Sequence, residues 1–246
     1  MNRQSEINLA VTMNPLTCSQ RAQRWLASAF AATMLALSSA AFAAGGAVEL
    51  DTMPSDKLGN QTAMQNGAKN FMAYCSGCHG ISLMRYSRLA DLGLSEEDIK
   101  AIMPPGAKLG DYIRTSISRE NAKTWFGAAP PDLSVTARSR SSWSGPGHDW
   151  VYTFLRTYYE DPARQTGWNN KTFANVGMPN VLWEVQKSKS PQEFDSFVAD
   201  IAAFLAYVGE PAQSTRTAIG SVVMIFLLIF FVLAWRLNKA FWKNVK

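Results

Sequence analysis

Cys75-Ser76-Gly77-Cys78-His79 is the most informative stretch of this 246-residue chain. Two thiols three positions apart can each add to one vinyl group of a haem, and a histidine directly after the second thiol can then ligate the iron. The pattern predicts one covalently bound haem c, held through Cys75 and Cys78, in a redox carrier. A zinc site would need two more ligands, and the rest of the chain offers only Cys18 and His148. A redox dithiol or a disulfide is the other interpretation.

The beginning of the chain has the pattern of an export signal. Residues 1–24 carry three arginines and one glutamate, and an uncharged run follows over residues 25–48. The small-residue pattern Ala41-Phe42-Ala43 closes the run, which predicts a cleavable signal peptide over residues 1–43. An uncleaved anchor is the alternative. Residues 44–215 then form the exported domain, which we expect in the periplasm.

A second apolar run near the C-terminus predicts a membrane anchor. Ala218–Trp235 is 18 residues without a charge, and as a helix it covers roughly 27 Å of hydrocarbon. We expect a transmembrane helix over 216–236 in the lipid bilayer of the cell inner membrane, and a buried helix of a soluble core is the alternative. Four basic residues and no acidic one follow, which predicts a cytoplasmic tail over 237–246.

The charge of the chain matches this division. The formal net charge is +5, but residues 44–235 carry 17 basic and 18 acidic side chains. The expected exported domain is therefore about neutral, which gives no support to nucleic-acid binding. After removal of the signal peptide, the motif would hold the only two cysteines, so no disulfide framework is expected.

Helical signals bracket the exported domain and predict an all-α fold. Apolar residues at helical spacing over Gln61 to Tyr74 lead directly into the motif. Ser190 opens a capping box with proline at the first helical position, and an apolar stripe then continues to Gly209. The small Gly67 would let another helix approach closely, so we predict that these two helices cross.

A short acidic cluster allows two interpretations. Ser95-Glu96-Glu97-Asp98 opens a helix that we expect to end near Met103, and Asp91 lies just before it. N-capping and complementarity to the helix dipole explain these acids as structural residues. A docking patch for a basic electron-carrier protein is the functional interpretation, and both can hold together.

A six-coordinate electron-transfer haem needs a second axial ligand besides His79. His148 lies in a glycine- and proline-rich stretch and is expected in a surface loop. Met103 follows His79 by only 24 residues, most of them needed for the capped helix. Met178 follows His79 by 99 residues, which is long enough to wrap the ring. We therefore expect Met178 to be the ligand, a choice that also rests on the resemblance described next.

Several motifs, in this order, resemble the cytochrome c1 family, the haem-bearing subunit of the cytochrome bc1 complex. Besides the haem motif they are Ala129-Pro130-Pro131-Asp132-Leu133-Ser134, Asn175-Val176-Gly177-Met178-Pro179 with Leu182-Trp183, and a single C-terminal anchor. The resemblance implies a cytochrome c-type haem domain with loop insertions plus one transmembrane helix. It is poorest over residues 138–167.

The resemblance also implies roles for individual residues. Cys75 and Cys78 would form thioether bonds to the haem, and His79 and Met178 would be the axial ligands. A carbonyl of Pro130 or Pro131 would accept the N–H of the His79 ring. Arg138 would pair with a haem propionate, with Arg140 as the rival.

The function implied by the resemblance is one-electron transfer. The chain would take electrons from the Rieske iron-sulfur protein and pass them to a c-type cytochrome, beside cytochrome b in a dimeric complex. It would make and break no substrate bonds by itself. A free-standing membrane-anchored cytochrome c that feeds a terminal oxidase, and a haem sensor or peroxidase with an open coordination site, are the alternatives.

Overall fold

A computed structural model of the chain describes residues 49–244, so the predicted signal peptide over 1–43 lies outside the described residues. The described chain is mostly helical, and its strands are confined to two short antiparallel pairs, which confirms the predicted all-α fold. The α-helices are α1 Gln61–Tyr74, α2 Glu96–Ile102, α3 Arg119–Phe126, α4 Thr136–Ser139, α5 Gly147–Arg156, α6 Trp183–Ser188, α7 Pro191–Gly209 and α8 Gln213–Phe241. The strands are β1 Ile81–Arg85, β2 Tyr112–Ile113, β3 Tyr158–Glu160 and β4 Trp168–Asn170. Short 3-10 helices cover Ser55–Lys57, Tyr86–Leu92 and Trp242–Asn244.

The two bracketing helices begin and end where the sequence predicts. The side chain of Asn60 caps α1 by accepting the Ala63 N–H. Ser190 and Glu193 form the predicted capping box at the start of α7, with Pro191 at the first helical position. Local hydrogen bonds therefore set these boundaries without help from distant residues.

Helices α1 and α7 cross at Gly67, as predicted. A Cβ added at Gly67 would lie 2.0 Å from the carbonyl oxygen of Asp200, so only glycine fits at the contact. One turn further on, the rings of Phe71 and Phe204 pack with their centroids 5.8 Å apart, and both side chains are fully buried. This crossing forms the centre of the hydrophobic core.

Strand β1 follows the haem motif directly and pairs with β2. Ile81 lies opposite Ile113, and neither side chain is exposed. A bulge between Ile81 and Arg85 then brings Arg85 opposite Tyr112. The second pair, β3 and β4, aligns Tyr158 with Asn170. The β1–β2 pairing brings the chain after Ile113 beside the motif.

The segment over residues 138–167, where the resemblance is poorest, contains the end of α4, a tight turn, α5 and strand β3. A tight turn pairs Ser142 with Gly145, and α5 begins at Gly147. Gly147 is needed because a Cβ there would lie 2.0 Å from the Ala137 carbonyl oxygen of α4. His148 was expected in a surface loop, but it lies in the first turn of α5 with a half-buried side chain.

The C-terminal helix α8 is longer than the predicted span over 216–236. Helical hydrogen bonds continue into the polar residues on both sides of the apolar run, so the helix covers Gln213–Phe241. Among the described residues, Thr215–Asn244 is the one helical stretch long and apolar enough to cross a membrane. None of its apolar window is buried against the protein, as expected for a helix that faces lipid.

The acidic cluster is used in local structure. Asp98 forms a capping box with Ser95 at the start of α2, which confirms the capping interpretation for this residue. Asp91 forms an ion pair with Arg88 at 2.8 Å and accepts a hydrogen bond from the Tyr207 hydroxyl. These contacts do not test the docking interpretation.

Candidate haem site

The Cys75–His79 motif is a hydrogen-bonded extension of α1. The N–H of Cys75 donates to the Phe71 carbonyl at 2.9 Å, and the N–H groups of Cys78 and His79 both donate to the Cys75 carbonyl, at 3.1 and 2.8 Å. This turn brings both thiols and the imidazole to the end of one helix. The packing of α1 against α7 therefore also fixes the motif.

Both thiols are free. Cys75 is half-buried and Cys78 is exposed, and no disulfide joins them. Burial, and to a lesser extent the neighbouring Cys78, raises the pKa of Cys75 to about 12, so this thiol is neutral at pH 7. Within residues 49–244 no group of three His, Cys, Asp or Glu side chains is arranged to hold a metal ion.

The His79 ring is buried and held through one nitrogen. Only 8% of the residue is exposed, and Nδ1 lies 2.7 Å from the Pro131 carbonyl oxygen. A carbonyl can only accept, so Nδ1 carries the proton and Nε2 keeps its lone pair for a metal. Burial lowers the pKa of His79, against the opposing effects of the Pro131 hydrogen bond and the Asp132 charge. The neutral ring is the form that can ligate iron.

Asp132 fixes the segment that presents the Pro131 carbonyl. Its carboxylate accepts the N–H of Ser82 at 2.8 Å and the N–H of Ser134 at 2.9 Å. Burial alone would raise the pKa of Asp132, but the hydrogen bonds from Ser134 and Ser82 outweigh burial and hold the pKa below its usual range. Asp132 is therefore a carboxylate at pH 7 and ties Pro131 to the strand that follows the motif.

Two further hydrogen bonds hold the chain on both sides of His79. The Leu133 N–H donates to the Gly80 carbonyl at 2.8 Å, directly after the histidine. From the β2 side, the Thr115 hydroxyl donates to the carbonyl of Gly77 at 2.9 Å, inside the motif. Gly80 fits between these segments with little space, because an added Cβ would lie 3.1 Å from Asp132 and 3.2 Å from the Thr115 nitrogen.

Met178 lies in a separate loop whose flanks are buried. Val176 and Asn180 are 5% and 3% exposed, whereas Met178 between them is half-buried. Asn175 has a φ of 60°, a left-handed conformation that asparagine adopts more readily than most residues.

Met103, the other methionine considered as a ligand, lies directly after α2 and packs against the hydrophobic core. The packing of Met103 already occupies its side chain.

A buried amide network holds the chain before Met178. The Asn169 side chain accepts the N–H groups of Asn170 and Asn175, each at 2.9 Å, and donates to Asp161 at 2.8 Å. Asn170, only 1% exposed, accepts the N–H of Thr172 at 2.8 Å and donates to the Phe154 carbonyl at 2.7 Å. These contacts connect the loop to the β3–β4 hairpin and to α5.

The two arginines considered as propionate partners have different surroundings. Arg138 has a 64% exposed side chain, and its guanidinium lies 3.9 Å from the Glu210 carboxylate. The guanidinium of Arg140 lies over the Trp150 ring, 4.3 Å from its centroid, and 5.6 Å from that of Phe173. The half-exposed Phe173 ring belongs to the chain that leads to Met178.

The residues at this site fit a covalently bound haem. Two free thiols and a neutral imidazole with one nitrogen satisfied fit the attachment of a haem c and one of its iron ligands, and the half-buried thioether of Met178 is of a type that can supply a second ligand. Among the described residues, two buried polar atoms also lack a hydrogen-bond partner, the Tyr158 hydroxyl and Arg164 Nε. Both lie in the hairpin region before Met178, and such orphaned groups are suited to a polar partner that binds there.

Sequence reasoning missed two residues that organise the site. Asp132 positions Pro131, and the Asp-x-Ser spacing over 132–134 is a signal for the turn in which an aspartate accepts the N–H two residues later. Asn169 organises the Met178 loop, and nothing in its local sequence pattern indicates that role. Its three partners lie within eight residues of it and are brought together by the β3–β4 hairpin and the loop that follows.

Comparisons with known proteins identify the family of this chain. A family model described as the cytochrome C1 family matches residues 57–245. A cytochrome c1 from Allochromatium vinosum is 41% identical, over 87% of this chain and 97% of the relative. A protein from Nitrosomonas europaea named ammonia monooxygenase gamma subunit is 38% identical, over 83% and 92%. A cytochrome c1 from Rhodospirillum rubrum is 26% identical, over 88% and 96%.

Proposed function

Because this chain belongs to the cytochrome c1 family and is therefore a haem-containing electron carrier of the cytochrome bc1 complex, we propose that it takes single electrons from the Rieske iron-sulfur protein and passes them to a c-type cytochrome. The hydrogen bond between His79 and Pro131 is the observation that carries this proposal. It leaves Nε2 of a buried, neutral imidazole available beside two free thiols.

The proposed roles of the binding residues follow from their chemistry. Cys75 and Cys78 would hold one haem c by thioether bonds, and His79 and Met178 would ligate its iron. When bound, haem c supplies reversible one-electron chemistry between ferric and ferrous iron. Pro131 fixes the His79 tautomer, and a methionine ligand would favour the ferrous state and raise the potential. Pro130 would keep the backbone before Pro131 in an extended conformation.

The proposed topology places the haem domain in the periplasm of a single-pass inner-membrane protein. The basic residues after the apolar run, Lys239 and Lys243 among them, favour a cytoplasmic C-terminus. Helix α8 then packs beside cytochrome b in a dimeric complex, and the tether keeps the haem domain near its electron donor. The surface around the haem edge remains for the acceptor cytochrome.

The propionate role proposed for Arg138 competes with its contact to Glu210, and Arg140 is the rival. The reduction potentials of Arg138→Gln and Arg140→Gln, measured by spectroelectrochemical titration, separate the two. Removing a positive charge beside a propionate disfavours the reduced haem, so the variant at the true partner should have the lower potential. A larger decrease in Arg140→Gln would assign the contact to Arg140.

Co-purification tests the proposed assembly. The chain, tagged at its C-terminus and solubilised in mild detergent, should bring down cytochrome b and the Rieske protein, with haem that stays on the polypeptide after denaturation. Recovery of the haem protein without either partner would support the free-standing carrier. Recovery with subunits of a monooxygenase instead would indicate an assembly like that named for the Nitrosomonas europaea relative.

An optical measurement separates the proposal from a sensor or peroxidase. A six-coordinate centre should show the methionine-to-iron charge-transfer band when oxidised and should not bind carbon monoxide readily when reduced. Ready carbon monoxide binding by the unmodified protein would indicate an open coordination site and contradict the proposed role of Met178.

A further inference from the structure

An open groove lies between strand β1 and the end of α7, and none of its lining residues belongs to the haem motif. Its volume is about 380 Å³. The residues that line it include two arginines, one tyrosine and several apolar side chains: Leu83, Arg85, Arg88, Tyr112, Val208 and Pro211. The groove has no role in the electron transfer proposed above.

The two arginines make the groove basic. The Arg85 guanidinium lies over the Tyr112 ring, 4.0 Å from its centroid, and donates to the Tyr112 hydroxyl at 2.9 Å and to the Gly110 carbonyl. Arg88 pairs with Asp91, but its side chain remains 55% exposed. The groove is therefore lined by two guanidinium groups, of which Arg88 has Asp91 as its ion-pair partner, and their planar donors suit the oxygens of a phosphate.

The groove lies at the start of the membrane anchor. Pro211 lines it, and α8 begins only two residues later at Gln213, within about 7 Å along even an extended chain. Leu83, 75% exposed, projects an apolar side chain at the same place, next to the half-exposed Tyr112 ring. Apolar side chains beside arginine and tyrosine are typical of surfaces at the boundary between headgroups and acyl chains.

We propose that this groove binds the headgroup of an anionic phospholipid, with Arg85 and Arg88 on the phosphate and Leu83 against the upper part of the lipid. Charge complementarity and continuity with the anchor favour a lipid over an acidic protein segment. The proposal requires only that α8 spans the bilayer, and it does not depend on which side the haem domain occupies.

Electron paramagnetic resonance of spin-labelled lipids tests the proposal. The haem-loaded full chain is reconstituted in phosphatidylcholine bilayers with trace spin-labelled phosphatidylglycerol or phosphatidylcholine carrying the same acyl chains. The ratio of their association constants isolates the preference for the anionic headgroup. Because the basic tail at the other end of α8 would also attract anionic lipid, every variant also carries Lys239→Gln and Lys243→Gln.

Substitutions in the groove should change this ratio in opposite directions. Arg88→Gln should lower the preference for phosphatidylglycerol about fivefold, which corresponds to about 1 kcal/mol for one arginine near the lipid surface. Asp91→Asn should raise it, because Arg88 loses its competing partner. Arg119→Gln, an exposed arginine at the start of α3, is the matched control and should leave the ratio unchanged.

Two results would overturn the proposal. One is an equal lipid preference in Arg88→Gln and Arg119→Gln. The other is an unchanged lipid preference in Arg88→Gln together with the loss of a protein subunit from the purified complex, which would identify a protein as the occupant. Arg88→Lys, which keeps the charge but not the planar donors, should retain part of the preference.

Discussion

Replacing Gly67 by alanine should force α1 and α7 apart and destabilise the domain. The new Cβ would lie 2.0 Å from the Asp200 carbonyl oxygen and 2.7 Å from Cβ of Phe204, whereas ordinary contacts are at 3.4–4 Å. The oxygen belongs to the α7 backbone and cannot rotate away. The two helices must therefore separate by more than about 1 Å at the centre of the core.

The size of the effect is the difference between two opposing contributions. Overpacking a core costs about 1–3 kcal/mol, and a clash with backbone lies at the upper end of that range. Alanine in place of glycine inside a helix returns about 1 kcal/mol through its higher helix propensity. The net loss should be about 2 kcal/mol, which lowers the unfolding midpoint of a domain of this size by about 4–8 °C.

Unfolding of the haem-loaded full chain in detergent, followed by far-ultraviolet circular dichroism, measures this loss. Gly110→Ala is the matched control, because no atom lies within 4 Å of a Cβ added there and its φ is outside the left-handed region. Gly67→Ala should unfold at a clearly lower temperature than Gly110→Ala. Equal midpoints would refute the idea that the close helix crossing requires glycine.

Three other perturbations test the site and its supports. Met178→Leu should let the reduced protein bind carbon monoxide, whereas Met103→Leu should only weaken core packing; carbon monoxide binding by Met103→Leu alone would make Met103 the ligand. Asn169→Ala should weaken the methionine-to-iron band of the oxidised protein, because the loop before Met178 loses its hydrogen-bond acceptor; an unchanged band would exclude this support. Hydrogen bonds with the N-cap serine, Ser190, hold the pKa of Glu193 below its usual range in the folded protein. The contribution of Glu193 to stability is therefore present above its unfolded-state pKa of about 4.3 and is lost as the pH falls through its pKa in the folded state. Glu193→Gln should therefore lose less stability than the unmodified chain when the pH falls from about 6 to about 3, as measured by denaturant titrations. The exposed Glu184→Gln is the control and should lose as much stability as the unmodified chain. Equal losses in both variants would show that the cap is not responsible.

The sequence was sufficient where the determinants of structure are local. The caps at Asn60 and Ser190 and the apolar stripes fix α1 and α7 through contacts within one or two turns. Their crossing could also be predicted, because Gly67 is the small residue that such a contact needs. The turn of the haem motif is local as well, since the backbone hydrogen bonds that form it all lie between Phe71 and His79.

The rest of the site depends on contacts between distant parts of the chain. Asp132 bonds to Ser82 across fifty positions, and no pattern near either residue indicates the other as partner. Helix α5 was missed because its first residues, around Gly147 and His148, have the composition of a loop. What stabilises that helix start is the close approach of α4, which only the folded chain supplies.

Chain length limits how far the proposed haem site can lie from the anchor. His79 and Arg85 are six residues apart, so even a fully extended chain separates them by no more than about 20 Å. Arg85 lines the same groove as Pro211, two residues before α8 begins. The imidazole that we propose as the iron ligand is therefore held within a few nanometres of the proposed membrane anchor by one short strand. An electron donor that is itself tied to the membrane would need to move only a few nanometres from the membrane to reach the proposed haem site. Because strand β1 sets this distance, it contributes to the proposed function together with the motif.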